Sequence, residues 1–259
     1  MSQRDVRARS RQRKQSRIRR WVLVLLLLAC GASWLIWAIR SEPLWWQPPD
    51  AEDVHVVDLG HGTEQFVIDQ MHQPRDEDDT WQFRLHNDQM NAWLRVNLPA
   101  WFVHTTGKHW PDQISLPLVS ADAEGLHVGV RVNDFLGNQI LSARLHADIQ
   151  EDGVHVSMDR ARIGRAPVPA ISMILDLVRE RFSDQLNDAA LQAITRVLLE
   201  GQPLDATLEL ADGRCVQLLD VELEEDAIVF TARTVREAAP ATDQPLNEDA
   251  AGDPDSQNE

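Results

Sequence analysis

The sequence predicts an α+β fold in which a curved antiparallel sheet packs on one long helix, with a single N-terminal transmembrane helix before the domain. Three patterns support this prediction. An uncharged apolar stretch lies near the N-terminus, alternating apolar residues fill the middle of the chain, and an apolar stripe with helical spacing follows them.

Residues 21–39 form the apolar stretch, which Arg40 follows. At 1.5 Å per residue a helix of this length extends roughly 28 Å, close to the hydrocarbon thickness of a bilayer. Nine of the first 20 residues are Arg or Lys, and such a basic flank favours a cytoplasmic N-terminus. We therefore expect an anchor in the bacterial inner (cytoplasmic) membrane, with the C-terminal domain periplasmic or extracellular. The side chains expected to contact lipid are Trp21, Leu25, Leu28, Trp34 and Trp37.

Two alternatives to an uncleaved anchor remain. A cleaved secretory signal has an apolar core of about 7 to 15 residues, which is shorter than this stretch. A lipoprotein is the second alternative, because residues 27–30 (Leu-Leu-Ala-Cys) resemble a lipobox in which Cys30 is lipidated. The apolar stretch continues from Trp34 to Ile39, where a processed lipoprotein has a polar tether. The uncleaved anchor is thus preferred, and Cys30 is a candidate lipidation site.

The charge distribution separates the two sides of the predicted membrane. Residues 1–20 hold nine of the 25 basic and one of the 41 acidic residues, which leaves 16 basic and 40 acidic residues for the rest. A strongly acidic body disfavours nucleic acid as a partner. The predicted divisions are a basic cytoplasmic tail (1–20), the transmembrane helix (21–39), a Pro/Trp-rich stalk (40–53), an extracytoplasmic domain (54–235) and a disordered acidic tail (236–259). The stalk prediction places Trp45 and Trp46 at the headgroup level, with packing in the core as the alternative.

Alternation of apolar and polar residues predicts a hairpin in the middle of the domain. Strands over residues 126–132, 141–149 and 154–158 each present one apolar face. Matching those faces across the turn places Ile149 opposite Val154 and Arg144 opposite Asp159. The polar phase slips after Met158, which predicts a bulge near Asp159-Arg160 that bends the sheet.

A helical stripe follows the hairpin. It covers residues 170–200, includes Phe182, and ends at Gly201 and Pro203. Strands are predicted over residues 205–210, 216–223 and 227–235, and extended chain over residues 54–69 and 81–85. Asn87 is expected to cap a short helix that carries Met90, Trp93 and Trp101, and Pro99 should limit or kink that helix.

This order of elements resembles a known family. The segment 91–94 (Asn-Ala-Trp-Leu), the meander of strands, residues 162–164 (Arg-Ile-Gly) with Pro167 and Pro169, and the long helix are similar to uncharacterised single-pass bacterial envelope proteins with a tubular lipid-binding (TULIP-like) domain. The resemblance covers about residues 80–235. It implies a curved sheet that wraps a long helix around an apolar cavity.

The sequence favours a protein that is not an enzyme. No serine lies in a Gly-x-Ser-x-Gly elbow, although the many carboxylates leave a glycosidase pair open. His127, His146 and His155 share the polar face of the predicted sheet, but a zinc site needs three or four convergent ligands. We therefore expect no catalytic residues, no metal and no cofactor.

Two functions remain. The preferred hypothesis is a membrane-anchored scaffold or assembly factor of the bacterial envelope, with other envelope proteins as partners. The alternative is a module that binds or transfers a lipid or another hydrophobic ligand in an apolar groove between sheet and long helix. Candidate residues for that groove, or for contact with the bilayer, are Met90, Trp93, Trp101, Val128, Leu145 and Phe182. A filled core would favour the scaffold, whereas an open cavity would favour the ligand-binding module.

Substitution of Cys30 tests the anchor. We expect Cys30→Ser to change the full-length mass only by the exchange of one sulfur for one oxygen and to leave the protein in the membrane fraction, because the apolar helix itself holds it there. Fractionation and intact-mass spectrometry measure both properties. Release from the membrane, or loss of an acyl-sized mass, would instead identify a lipoprotein.

Overall fold

The structure is a computed structural model, and it describes residues 3–76, 78–133, 137–168, 196–197, 201–210 and 212–236. The helices in these ranges are α1 (Gln3–Arg40), α2 (Val54–His72), α3 (Asn87–Val96) and α4 (Leu98–Thr106). The strands are β1 (Thr80–His86), β2 (Leu118–Asp122), β3 (Gly125–Val132), β4 (Gln139–Gln150), β5 (Gly153–Ile163), β6 (Ala166–Val168), β7 (Thr207–Glu209), β8 (Arg214–Glu224) and β9 (Ala227–Arg236).

The strands form two antiparallel sheets, so the α+β class is confirmed but the single sheet is wrong. One sheet has the order β1-β9-β8-β7 and the other has the order β2-β3-β4-β5-β6. Alternation in sequence identifies the face of each strand but does not identify which edges pair, and here β1 joins the C-terminal hairpin instead of the central meander. The predicted long helix (170–200), with Phe182, lies outside the described residues except for residues 196 and 197. The predicted acidic tail (236–259) also lies outside them, except for Arg236, which ends β9.

The β4-β5 hairpin has the predicted register near its turn. Ile149 lies opposite Val154. The register shifts between Arg144 and Leu145, where Asp159 is the extra residue, so Arg144 lies opposite Arg160. The bulge predicted at Asp159-Arg160 is therefore present. The predicted pairing of Arg144 with Asp159 is wrong for the backbone because of that same extra residue.

Residues 54–69 belong to α2, and the prediction of extended chain is wrong. The β-branched residues at the start of this segment suggested a strand, but packing against α3 decides the conformation. The Asp53 carboxylate accepts a hydrogen bond from the His55 N–H at 2.9 Å and caps the helix. Gly60 allows the close approach to α3, because a Cβ there would lie 2.8 Å from the Ala92 carbonyl oxygen.

The predicted short helix is two helices, because α3 ends at Val96 and Trp101 lies on α4. The N-cap of α3 is His86, whose backbone N–H donates to the Gln89 side chain at 2.9 Å. Asn87 was expected to be the cap, but its side chain binds the backbone of Ala121 instead. Pro99 lies in the first turn of α4, directly after the break between the two helices, as the sequence predicts.

Two asparagines of α3 pair with the edge of β2. Asn91 accepts from the Val119 N–H and donates to the Val119 carbonyl, both at 2.8 Å. Asn87 does the same with Ala121, at 2.7 and 3.2 Å. The two side chains are one helical turn apart, and they meet alternate residues of the strand. They satisfy backbone groups that an edge strand would leave unpaired.

The C-terminal end of α1 packs directly on the second sheet. Ala38 is 1% exposed, and its carbonyl accepts from the Arg165 N–H at 2.8 Å in the turn between β5 and β6. Gly164 has φ +58°, and a Cβ there would lie 2.2 Å from the Ile39 carbonyl oxygen, so only glycine fits this contact. The basic side chain of Arg165 also suits the negative end of the helix dipole.

Trp45 and Trp46 do not project from a stalk. Trp46 is buried with Leu118 and Ile140, and Trp45 packs against this cluster. The ring of Trp45 also stacks on His127 at 5.6 Å between centroids. The sequence left packing in the core open as the alternative, and this is the arrangement that the pair adopts.

Replacement of Asn91 tests the helix-to-strand connection. Asn91→Ala leaves the N–H and carbonyl of Val119 without these partners, so we expect a loss of about 1 to 3 kcal/mol in the free energy of unfolding. Urea unfolding of the full chain in uncharged detergent measures it. The control is Gln82→Ala, which removes one exposed hydrogen bond to Thr231 and should cost about 0.5 kcal/mol or less. Equal effects of both substitutions would contradict the proposed importance of Asn91.

Candidate functional site

An apolar groove lies between the first two helices of the domain and the adjoining strands. Its volume is about 430 Å³, which falls within the range of small-molecule pockets. α2, α3, β1 and β2 all contribute to it. The lining residues are Thr63, Glu64, Val67, Ile68, Leu85, Met90, Trp93, Leu94 and Val119.

Helical spacing explains which side chains line the groove. Met90, Trp93 and Leu94 are spaced i, i+3 and i+4, so they share one face of α3. Val67 and Ile68 come from the neighbouring helix, and Ile68 is 43% exposed. The two polar lining residues leave the interior apolar: the Thr63 hydroxyl donates to the Leu59 carbonyl of its own helix at 2.7 Å, and Glu64 is exposed.

The groove adjoins the apolar face of the second sheet. Val119, one of the lining residues, lies directly opposite Val128 in the next strand. Leu145 lies opposite Leu126 on the same face, and both Val128 and Leu145 are half-buried. An apolar surface therefore continues from the groove across β3 and β4.

The six predicted groove residues have different places in the structure. Met90 and Trp93 line the groove, whereas Val128 and Leu145 lie on the adjoining sheet face. Trp101, on α4, is 53% exposed and is not among the lining residues. Phe182 lies outside the described residues.

The contribution of α2 was missed, because residues 54–69 were predicted to be extended. The groove was also expected beside the long helix of residues 170–200, but among the described residues it is formed by α2 and α3. Val67 and Ile68 lie four and three residues before Met71, which is the apolar spacing that indicates a helix over the second half of this segment. That signal was available but was outweighed by the valines at its start.

One helix of the described residues, Trp21–Arg40, is long and apolar enough to cross a membrane. A signal sequence near an N-terminus meets the same test, so the membrane and the orientation stay predictions. The predicted lipid-contacting side chains all face outward, as does Cys30: Trp21, Leu25, Leu28, Trp34 and Trp37 are between 57% and 68% exposed. An exposed apolar surface of this size marks a contact with a membrane or with another protein.

A compact charged cluster forms at the bulge of β5. The side chain of Arg144 is only 8% exposed; it donates from Nε and Nη2 to Asp159, at 3.1 and 2.6 Å, and also pairs with Glu124. His146 Nε2 lies 3.6 Å from the same Asp159 carboxylate. The hydrogen bonds from Arg144 lower the pKa of Asp159 to about 2. Arg144 and Asp159 are therefore not opposite each other in the backbone register, but their side chains are in contact across the bulge.

The other two outer-face histidines also contact carboxylates. His127 Nε2 lies 2.9 Å from Asp122, and His155 Nε2 lies 2.7 Å from Asp152. His155 therefore pairs within its own turn and not with Asp148, the residue opposite it. In the part of the chain that the structure describes, no three His, Cys, Asp or Glu residues form a group that would hold a metal ion.

No protein-family model and no curated protein matches this sequence. Among solved structures, the crystal structure of a lipopolysaccharide binding protein matches at 10% sequence identity, with a TM-score of 0.17. The match covers 61% of this chain and 41% of that chain, so this chain spans less than half of that protein. At this TM-score the likeness carries no argument, and the function has to be inferred from the residues themselves.

The Arg144–Asp159 pair predicts a dependence of stability on pH. The folded-state pKa of Asp159 lies below the usual value of about 3.9, so the pair stabilises the fold above that value and ceases to do so as the pH falls toward 2. We expect Asp159→Asn to destabilise the protein at pH 6, with the difference from wild type disappearing near pH 2.

Urea unfolding at a series of pH values measures that difference. Asp148→Asn is the control, because Asp148 is an exposed carboxylate whose side chain is bonded to Gln150. We expect a small effect of this control at every pH. A constant difference between wild type and Asp159→Asn down to pH 2 would contradict the assigned role of the carboxylate.

Proposed function

We propose that this protein is a membrane-anchored, non-enzymatic module that binds a lipid or another hydrophobic ligand in the groove between α2 and α3. The observation that carries the proposal is the apolar groove itself, with its volume of about 430 Å³ and its lining of Val, Ile, Leu, Met and Trp side chains. A groove of this composition favours hydrocarbon over polar ligands, because burial of each CH₂ group contributes about 0.8 kcal/mol.

The connection between the anchor and the domain supports a ligand from the bilayer. α1 packs against the β5-β6 turn through Ala38 and Gly164, without a flexible stalk between them. In the proposed topology, with the domain outside the inner membrane, this connection keeps the domain next to the outer leaflet. The resemblance of residues 80–235 to tubular lipid-binding domains implies the same class of ligand.

The envelope scaffold remains the second hypothesis. At the sequence level it was preferred over ligand binding, and an open cavity was the feature expected to reverse that order. The groove provides such a cavity among the described residues. No comparable observation favours contact with a particular envelope protein, so ligand binding becomes the first proposal.

A photoreactive fatty acid tests ligand binding in the full chain. The host cell incorporates a diazirine-bearing acyl chain into its lipids, and light crosslinks it to the protein. Mass spectrometry then locates the labelled peptides. We expect label on peptides that contain Met90, Trp93 or Val67, in addition to the anchor helix.

Filling the groove should remove that label. Leu94→Trp places extra bulk in the lining, so a ligand that enters the groove has to displace the indole. If this displacement costs about 1 to 3 kcal/mol, as overpacking does, labelling of the groove peptides should fall about tenfold. The control is Leu208→Trp, which adds the same side chain at an exposed position of β7. Label confined to the anchor helix in the wild type, or unchanged in Leu94→Trp, would contradict the proposal and favour the scaffold.

A further inference from the structure

A second pocket lies on the other side of α3. Its volume is about 260 Å³, and it is formed by the segment after α1, by α3, and by the chain that leads into β2. Asn91 and Arg95 contribute to this pocket, whereas Met90, Trp93 and Leu94 line the apolar groove. The lining residues are Trp46, Pro48, Pro49, Asn91, Arg95, Ser115, Leu116, Pro117, Leu118 and Arg131.

Two lining residues keep buried hydrogen-bond donors without an acceptor. The Trp46 side chain is buried, with 6% of the residue exposed, and its Nε1–H has no partner among the described residues. The Nε–H of Arg95 is also buried and unpaired in this part of the chain. A buried donor without an acceptor costs about 1 to 3 kcal/mol, and more for a charged group. Both donors belong to side chains that line the pocket but are not exposed to it, so a ligand with acceptor oxygens satisfies them once the two side chains turn toward it.

The charge of the pocket contrasts with that of the domain. Its lining contains Arg95 and Arg131 and no Asp or Glu, whereas residues 21–259 have 16 basic and 40 acidic residues. Arg95 forms no ion pair with any residue that the structure describes. Arg131 donates from Nη2 to Glu42 at 2.6 Å, so its position is fixed at the edge of the pocket. Glu42 balances the charge of Arg131, so the positive charge that favours an anion comes mainly from Arg95.

The remaining walls limit the size and the chemistry of the ligand. Pro48, Pro49 and Pro117 are stiff and apolar, and Leu116 and Leu118 complete that surface. The pocket has room for about nine water molecules at roughly 30 Å³ each. This volume suits a single carboxylate or phosphate group with a small apolar body, and it excludes a whole phospholipid.

We propose that this pocket binds an oxyanion, either the carboxylate of a small organic acid or a phosphate, with Arg95, the Trp46 indole and Arg131 as the recognising groups. The site is separate from the apolar groove and does not depend on its function. A soluble anion and an anionic lipid headgroup offer the same oxygens, and the experiment distinguishes these two sources.

The indole N–H of Trp46 provides a direct readout. The full chain, labelled with ¹⁵N-tryptophan in uncharged maltoside micelles, gives a resonance for each of its nine indoles. The resonance that disappears in Trp46→Phe is that of the Trp46 indole. Titration with sodium benzoate or inorganic phosphate, at constant ionic strength with chloride as reference, should shift the Trp46 resonance saturably, while chloride leaves it in place.

Substitution of Arg95 tests the assigned donor. We expect Arg95→Gln to raise the Kd for the effective anion about tenfold, and Arg95→Lys to raise it less, because lysine keeps the charge but not the planar donors. Arg84→Gln is the matched control, since Arg84 is exposed on β1 and pairs with Glu224. It should leave the Kd unchanged. The other eight indole resonances report whether each variant is folded.

Nanodiscs that contain phosphatidylglycerol, without added anion, identify the source. A shift of the Trp46 resonance relative to its position in maltoside micelles, reversed by benzoate or phosphate, would assign the site to lipid headgroups. A shift with soluble anions alone would assign it to a soluble ligand. Absence of a saturable Trp46 shift in all three conditions, or an unchanged Kd in folded Arg95→Gln and Arg95→Lys, would overturn the proposal.

Discussion

The pairing of α3 with the edge of β2 is the constraint on which the rest of the domain depends. β1 leads directly into α3 and belongs to one sheet, whereas β2 belongs to the other. The side-chain amides of Asn87 and Asn91 bind the backbone of alternate β2 residues and so fix one sheet relative to the other. The same arrangement separates the two pockets, because the apolar groove and the second pocket, which contains Arg95, lie on opposite sides of this contact.

The contact of α1 with the domain is the second constraint. The β5-β6 turn approaches the last turn of α1 so closely that residue 164 has no space for a side chain. Trp46 then closes the polar face of the second sheet, opposite Gly129, where a Cβ would lie 3.0 Å from its ring. Through Trp46, the segment between helix and domain is therefore tied to the core and is not a free spacer. In the proposed topology both pockets are held close to the outer leaflet.

Apolar and charged groups have separate roles in this domain. The groove is built from helix side chains at i, i+3 and i+4 spacing, which makes it continuous along α3. The buried Arg144 is neutralised by Asp159 and Glu124, so it stabilises the bulge and leaves little charge for a ligand. Arg95 has no such acidic partner among the described residues, and this difference directs the search for an anion to its pocket and not to the cluster at the bulge.

The sequence by itself determined the apolar N-terminal helix, the strands of the hairpin, the turn register at Ile149 and Val154, and the bulge at Asp159. These features depend on local spacing: an uninterrupted apolar run, period-two alternation, and the point where its phase slips. Tertiary structure alone decided that the valine-rich start of residues 54–69 is helical, that the strands divide into two sheets, and that Trp46 is buried. It also brought Val67, Met90 and Val119 together in one groove. Those outcomes depend on contacts between segments far apart in the chain, where burial against a partner outweighs local preference.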